Sequence, residues 1–178
     1  LMIALRVCRP LRRSNFVSIQ LGRQLVRDGG GWWLNFSAQE TKQRRTLDQP
    51  FPAQLVDPLE TYLEVYRPCF PNADQHTGLW ASAKGGTLRS GGLYQRIVRR
   101  TEAAFGQPIS PHQFRSSAAT TLARHTPEQV LTATRLLGHS RLDTTERYYN
   151  RAGTVSASRA YQAQLLALRD ARLEQEPR

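Results

Sequence analysis

Residues 111–150, PHQFRSSAATTLARHTPEQVLTATRLLGHSRLDTTERYYN, form the most informative stretch of this chain. The polar groups that could carry chemistry follow one another in it as His112, Arg115, His139, Tyr148 and Tyr149. His112 and Arg115 are three residues apart, so on a helix they share one face and can reach a single anion together. Arginine presents a planar fork of N–H donors that fits phosphate oxygens, and a tyrosine hydroxyl can act as a nucleophile. The pattern predicts chemistry at a phosphate group.

The ordered set of H-x-x-R, Leu-Gly-His and a tyrosine shortly after paired threonines resembles the active-site half of the tyrosine recombinases, the phage integrase family. The resemblance implies that a tyrosine attacks a DNA phosphodiester and keeps the bond energy as a phosphotyrosyl ester, so no metal and no cofactor are expected. An unperturbed phenol ionises near pH ~10, so the nucleophile must pass its proton to a neighbour during attack. Donors must also hold the charge on the non-bridging oxygens, and an acid must protonate the leaving 5′-oxygen.

The family places a first arginine in a segment such as G-L-R-x-x-E-L, and PLRRSNF at residues 10–16 occupies the equivalent place. The resemblance therefore assigns Arg12 to the scissile phosphate and makes Arg13 its solvent-facing neighbour. The segment departs from the pattern, because Pro10 replaces the glycine and Asn15 replaces the glutamate. The alternative is a basic loop that contacts the DNA backbone nonspecifically.

A lysine on a β-hairpin turn is the next element that the resemblance implies, where it would reach the scissile phosphate and protonate the leaving oxygen. An apolar strand, a polar turn and a second strand predict such a hairpin within residues 29–52. Lys42 lies in the turn, and the threonine before it completes a pair that resembles the family's T-K signature. Arg44 and Arg45 stand beside it, and any of the three could instead be a plain phosphate anchor.

The sequence Leu-Leu-Gly-His that ends at His139 indicates a helix end, with glycine at the position that tolerates left-handed dihedral angles. The resemblance assigns His139 to a hydrogen bond with the phosphate, and the alternative is a helix-stop residue. In many members the nucleophile follows this histidine by nine residues, which selects Tyr148, and in others by one residue more, which selects Tyr149. The sequence RYYNRA and the Arg-Arg-Ser-Asn start of the first motif resemble the second group, so Tyr149 is the assigned nucleophile and Tyr148 the alternative.

The charge of the chain favours a polyanionic partner. Lys and Arg number 25 against 14 Asp and Glu, which gives a net charge of +11 and a sequence pI near 10.8. Such a positive field attracts nucleic acid. Double-stranded DNA is the partner that the resemblance implies, although a ribosomal or RNA-binding protein would share the charge.

Cysteine content and hydropathy indicate the expected cellular location of the protein. Cys8 and Cys69 form no Cys-x-x-Cys pair, which argues against a zinc site or a disulfide scaffold. No apolar run is long enough to cross a bilayer, so we expect no membrane partner. The expected location is cytoplasmic and nucleoid-associated.

The expected fold is α+β and mostly helical with a small antiparallel sheet, as in the catalytic domain of the tyrosine recombinases, which are DNA breaking-rejoining enzymes. The sequence predicts two or three strands between Gln24 and Phe51, and a short buried strand at Leu79 and Trp80. The predicted helices are Arg13–Leu21, Ala53–Tyr66, Ser90–Ala104 with Ser90 as its cap, Pro111–His125, Pro127–Leu137 and Leu142–Asn150.

The expected organisation is one catalytic domain over residues 1–178. The opening LMIALRVC indicates the tail of an apolar helix without an N-cap. Family members carry a helical core-binding domain before the catalytic one, and we expect that N-terminal domain to be absent here. Residues 154–178 predict an amphipathic helix, which either folds back on its own domain or docks into a neighbouring protomer of a homo-oligomer, a tetramer on DNA.

The predicted function is site-specific recombination or integration of DNA, as in mobile elements, through a 3′-phosphotyrosyl intermediate. Two alternatives stay open. A type IB topoisomerase-like or telomere-resolving enzyme shares the chemistry, and a catalytically silent DNA-binding remnant shares the charge.

Overall fold

The computed structural model describes residues 1–42, 44–125 and 162 of the 178-residue chain. The chain divides into two compact units, and residues 1–118 belong to the first. The α-helices and sheet strands of the described part are α1 Met2–Cys8, α2 Arg13–Val17, β1 Leu25–Asp28, β2 Gly31–Phe36, β3 Leu47–Pro50, α3 Val56–Thr61, α4 Ser90–Phe105 and α5 Pro111–His125. Each helix in this part is too short or too polar to cross a lipid bilayer.

The three strands form an antiparallel sheet in the order β1-β2-β3, which confirms the predicted strand region. A tight turn joins β1 to β2, with Asp28 paired to Gly31. Gly31 has a φ of 134°, a conformation that residues with a Cβ rarely adopt. On β2 the side chains of Leu34 and Phe36 are buried, because alternate residues of a strand face the same side. The connection from β2 to β3 runs over residues 37–46.

Trp80 lies in the hydrophobic core and fixes α2. Its ring stacks on Phe16 with the ring centroids 5.0 Å apart, and Tyr62 packs against it at 5.8 Å. The indole N–H of Trp80 donates to the carbonyl oxygen of Phe16 over 2.8 Å. That carbonyl belongs to the last turn of α2, where the helix has no donor of its own to offer. The Tyr62 hydroxyl donates to the Leu79 carbonyl oxygen over 2.9 Å, and burial raises the pKa of Tyr62.

Helix α2 is shorter than predicted. The predicted helix ran to residue 21, whereas α2 ends at Val17. The carbonyl oxygen of Ile19 accepts from the Leu79 amide over 2.8 Å, and Gln20 forms an isolated antiparallel bridge with Gly78. These pairings with a distant loop replace the helical hydrogen bonds that the local sequence favoured.

Two other predicted elements differ from the observed ones in detail. The residues Leu79 and Trp80 are buried as predicted, but only their flanking residues form isolated bridges, so no regular strand results. The predicted helix Ala53–Tyr66 begins as a 3-10 turn, continues as α3 and ends in the π-helical turn Tyr62–Tyr66. The helical character of that segment is therefore confirmed, but its geometry is not uniform.

Helices α4 and α5 begin at the predicted residues. Arg89 occupies the cap position of α4 with an extended backbone, so Ser90 is the first helical residue and the prediction that it caps the helix was wrong. Helix α4 ends at Gly106, whose φ of 71° is the left-handed conformation that glycine favours. Helix α5 starts at Pro111, since proline suits the first turn of a helix. The predicted helices over 127–137 and 142–150 lie outside the described residues, as does the predicted helix over 154–178 apart from residue 162.

Candidate active site

Two hydrogen bonds join the first segment of the chain to the start of α5. The Arg6 Nη2 atom donates to the carbonyl oxygen of Pro111 over 2.6 Å, and the Arg115 Nη1 atom donates to the carbonyl oxygen of Pro10. Each bond spans 105 residues of sequence, and we call the two the reciprocal bonds. Arg12 follows Pro10 by two residues. The structure therefore brings together the segments that carry Arg12 and Arg115.

Arg12 lies at the N-terminal boundary of α2, with an extended backbone at φ −61° and ψ 146°. Its carbonyl oxygen accepts the first hydrogen bond of the helix, from the Phe16 amide over 2.8 Å. The Arg12 side chain is half-buried, and this burial lowers the pKa of its guanidinium. An arginine nevertheless keeps its charge in a protein. Arg12 can thus meet a phosphate as a cation in partly dehydrated surroundings, where hydrogen bonds between charged groups are stronger.

Arg6 is a cation that the sequence motifs did not single out. It belongs to the apolar helix α1, is only 1% exposed and lies over the Phe16 ring at 4.9 Å from the ring centroid. Burial first, and then the positive charges of Arg115 and Arg13, lower the pKa of the Arg6 guanidinium to about 10. Its Nε and Nη1 atoms have no hydrogen-bond partner within the described residues. Positive charge is thus concentrated beside Arg12, which favours an anion there.

A second set of bonds ties the β2–β3 connection to α2. The side-chain amide of Asn15 donates to the carbonyl oxygen of Glu40 over 3.1 Å, so the residue that departs from the family pattern has a defined partner. The Glu40 carboxylate accepts from the amide and hydroxyl of Ser37 at 2.8 and 2.9 Å, in a capping box, and pairs with Arg23 at 2.8 Å. Lys42 follows Glu40 by two residues and is exposed. The structure therefore places Lys42 on a connection anchored to α2.

Thr41 closes the turn around Lys42. Its Oγ1 atom donates to the carbonyl oxygen of Arg45 over 2.7 Å and accepts from the Arg45 amide over 3.0 Å. Arg44 adopts a left-handed backbone conformation with a φ of 51°. The side chains of Lys42, Arg44 and Arg45 are all exposed. The three cations that the sequence offered at this turn are therefore all open to a polyanion.

Helix α5 carries the H-x-x-R pair. His112 is its second residue and is exposed, and Arg115, one turn later, is half-buried. The other predicted site residues, His139, Tyr148 and Tyr149, lie outside the described residues. Within residues 1–42 and 44–125, no group of His, Cys, Asp and Glu side chains could hold a metal ion, and both cysteines are free thiols. The described part of the site is a set of cations on three linked segments, which can bind phosphate oxygens and donate protons.

Comparison with known sequences gives one family. The sequence model of the phage integrase family matches residues 1–154. A tyrosine recombinase of Synechococcus elongatus is 29% identical over 139 residues, which cover 78% of this chain and 42% of that protein. The tyrosine recombinase XerC of Leptospira interrogans is 33% identical over 99 residues, which cover 55% of this chain and 30% of that protein. The chain therefore spans less than half the length of these curated relatives.

Solved structures give the fold. The XerH site-specific recombinase, bound to its difH substrate in a pre-cleavage complex, aligns with a TM-score of 0.65 at 20% identity, over 83% of this chain and 41% of XerH. The XerA recombinase aligns with a TM-score of 0.63 at 15% identity, over 99% of this chain and 56% of XerA. The predicted fold, a mostly helical α+β domain with a small antiparallel sheet, is confirmed as the one these recombinases share.

Proposed function

The chain belongs to the phage integrase family, as its motifs predicted, and from that premise we propose that it is a site-specific recombinase that cleaves and rejoins DNA strands through a 3′-phosphotyrosyl intermediate. The observation that carries the proposal is the pair of reciprocal bonds, which holds the segment of Arg12 against the first turns of α5. Segments far apart in sequence thereby lie together, which supports a common phosphate site for Arg12 and Arg115. The XerH structure, solved with its difH substrate, supports DNA as the substrate class.

In the proposed reaction the tyrosine oxygen bonds to phosphorus and the P–O5′ bond breaks. The tyrosine proton passes to a neighbouring base during the attack. Lys42 donates a proton to the leaving O5′ atom. Arg12 and Arg115 hold the non-bridging oxygens, whose negative charge grows in the transition state. The phosphotyrosyl ester keeps the energy of the broken bond, so a 5′-hydroxyl can attack it in turn and rejoin the DNA.

We assign the remaining groups by their places in the motifs. His112 lies one helical turn before Arg115, shares its face of α5 and supports the proton transfers. His139 hydrogen-bonds the phosphate. Tyr149 is the nucleophile, with Tyr148 as the alternative. Neighbouring residues on a helix point about 100° apart, so only one of the two tyrosines can face the phosphorus.

The proposed partner is double-stranded DNA, and the net charge of +11 supports it. A protein that neutralises DNA phosphates releases the counterions held there, so its affinity should fall steeply as salt rises. We also propose assembly as a homo-tetramer on DNA, with the amphipathic segment 154–178 docking into a neighbouring protomer. The proposed location is the cytoplasm, at the nucleoid where the substrate lies.

A nicked suicide duplex tests the proposal. The substrate is chosen from the DNA that flanks the gene by searching it for inverted repeats that bracket a short spacer, and its nick lets the 5′-hydroxyl fragment diffuse away after cleavage. The full protein encoded by the gene should form a covalent protein–DNA adduct that survives a denaturing gel. DNA binding without any adduct would overturn the proposal in favour of a silent DNA-binding protein.

The same assay identifies the nucleophile. Tyr149→Phe should abolish the adduct while DNA binding persists, because phenylalanine keeps the ring but lacks the attacking oxygen. The adduct should survive in Tyr148→Phe. Loss of the adduct in Tyr148→Phe alone would reverse the assignment and leave the proposed reaction unchanged.

A further inference from the structure

Glu40 makes more hydrogen bonds than its own turn requires. A capping box needs only Ser37, whose amide and hydroxyl lie 2.8 and 2.9 Å from the Glu40 Oε2 atom. Arg23 adds an ion pair at 2.8 Å to the Oε1 atom, and the buried Gln24 side chain donates to the same atom. Asn15, also buried, donates to the Glu40 carbonyl oxygen over 3.1 Å. Glu40 therefore joins its turn to the segment before β1 and to α2.

Three residues outside the local turn, Asn15, Arg23 and Gln24, bond to Glu40. Gln24 lies 16 residues before it in sequence and Asn15 lies 25 residues before it, so neither is part of the local turn. Together with Arg23 they occupy the Oε1 and carbonyl oxygen atoms that Ser37 does not use. The turn is thereby fixed in place relative to α2 as well as closed upon itself.

Lys42 lies two residues after this anchor. Its side chain is exposed, and it takes part in no ion pair within the described residues. The Glu40 carboxylate is paired with Arg23 instead, so it does not hold the Lys42 side chain away from a ligand. A lysine side chain is a flexible four-carbon stem. Its reach toward a leaving oxygen therefore depends on where the backbone of the turn is held.

We propose that Glu40, with Asn15 as its partner on α2, is a positioning residue that fixes the distance between the Lys42 turn and α2, the helix that Arg12 precedes. The inference rests on the proposed function, in which Lys42 protonates the leaving O5′ atom. Proton transfer needs the donor within hydrogen-bond reach of the acceptor. A displacement of about 1 Å can slow such a step about a hundredfold.

A substrate with sulfur in place of the O5′ atom tests whether Lys42, the proposed acid, is correctly placed. In the natural substrate the P–O5′ bond breaks, and the departing oxygen needs a proton. In the sulfur substrate the P–S5′ bond breaks and the sulfur leaves as a thiolate, which needs no acid because a thiol ionises near pH ~8.5. Sulfur therefore restores cleavage that is slow because Lys42 is misplaced. It does not restore cleavage that is slow because the fold or the arginines are damaged.

Single-turnover adduct formation on both substrates, with the full protein and saturating DNA, tests the inference. Glu40→Ala should slow cleavage of the oxygen substrate about 10- to 100-fold and leave the sulfur substrate near the wild-type rate. Lys42→Ala should show the same pattern. Glu64→Ala and Lys84→Ala remove exposed groups of the same two kinds and should match the wild type on both substrates. Lys84 is the other of the two lysines in the chain, which makes it the matched control.

A second variant keeps the test decisive if Glu40→Ala does not fold. Asn15→Ala removes the link to α2 and leaves the capping box, so it should give the same pattern with a smaller loss. Equal losses on both substrates, or a wild-type rate on the oxygen substrate, would overturn the inference and leave the proposed function standing. A Lys42→Ala variant that sulfur does not restore would overturn it as well, because Lys42 would not be the acid. No adduct from the wild type on either substrate would overturn the proposed function itself.

Discussion

Replacement of Arg6 by methionine should separate stability from activity. Arg6 is 1% exposed, lies over the Phe16 ring at 4.9 Å and donates to the Pro111 carbonyl oxygen over 2.6 Å. Methionine is unbranched and apolar, and its sulfur makes favourable contact with an aromatic ring. The Pro111 carbonyl belongs to the first turn of α5 and can accept from the helical amide four residues later, so the substitution does not leave it without a donor.

In Arg6→Met, the stability gained by removing a buried charge nearly equals the stability lost with the contacts of that charge. The fall in the pKa of Arg6 from 12.5 to about 10 corresponds to about 3 kcal/mol against its charged form in the folded protein, and methionine removes this cost. In return, the variant loses a charged hydrogen bond of about 1.5–3 kcal/mol and a desolvated cation–π contact of about 2 kcal/mol. We expect the free energy of unfolding of Arg6→Met to stay within about 1–2 kcal/mol of the wild type.

The rate of DNA cleavage by Arg6→Met should fall, although its stability stays close to that of the wild type. Arg6 holds Pro111 at the start of α5, the helix that carries His112 and Arg115. Without that bond the two groups can move relative to Arg12. We expect adduct formation on the suicide duplex to slow about 10- to 100-fold at saturating DNA. Arg13→Met removes a guanidinium by the same substitution at an exposed position. Its free energy of unfolding should stay within about 0.5 kcal/mol of the wild type.

Urea unfolding followed by tryptophan fluorescence measures the stability of Arg6→Met, and single-turnover gel kinetics measure its activity. A loss of more than about 3 kcal/mol in the free energy of unfolding would refute the reasoning, because the hydrogen bond and the cation–π contact would then far outweigh the cost of burying the charge. An unchanged cleavage rate would refute the role of the Arg6 bond to Pro111 in positioning α5.

Two further predictions concern the core and the Glu40 anchor. Trp80→Phe removes the 2.8 Å donor of the Phe16 carbonyl, so urea unfolding should show a loss of about 1–3 kcal/mol. The loss should exceed that of Trp33→Phe, whose indole has no hydrogen bond in the described part of the chain, and equal losses would contradict the role of this bond. Hydrogen bonds, chiefly from the Ser37 amide, lower the pKa of Glu40 from 4.5, so its stabilisation is present above pH 4.5 and is lost as pH falls through the folded-state pKa. The urea midpoints of wild type and Glu40→Gln should therefore converge below about pH 4.5, and a constant separation down to about pH 3 would contradict this.

The sequence predicted those elements whose hydrogen bonds are local. Pro111 marked the start of α5 because proline suits a first helical turn, and an apolar run followed by a polar turn marked the strand that buries Leu34. The end of α2 was not predictable in this way. Ile19 bonds to Leu79, about 60 residues away, and no local pattern records such a partner.

The candidate site was likewise predictable only where local motifs mark its residues. The motifs selected Arg12, Arg115 and Lys42, and the structure places all three on linked segments. The motifs could not find Arg6, because an arginine in a short helix has no special meaning until the start of α5 lies beside it. Asn15 counted only as a departure from the family pattern, since its partner is 25 residues further along the chain. The roles of His139, Tyr148 and Tyr149 stay predictions.

The 105-residue span of the reciprocal bonds bears on when the proposed active site can form. During translation the segment of Arg12 leaves the ribosome well before α5 is made, and the closure of so long a loop is slow compared with local folding. In a nascent or partly unfolded copy, Arg12 and Arg115 are held apart, so the phosphate site proposed for them is not formed. Under the proposed function, strand breakage is thereby confined to fully folded molecules, which are also the ones able to reseal the break.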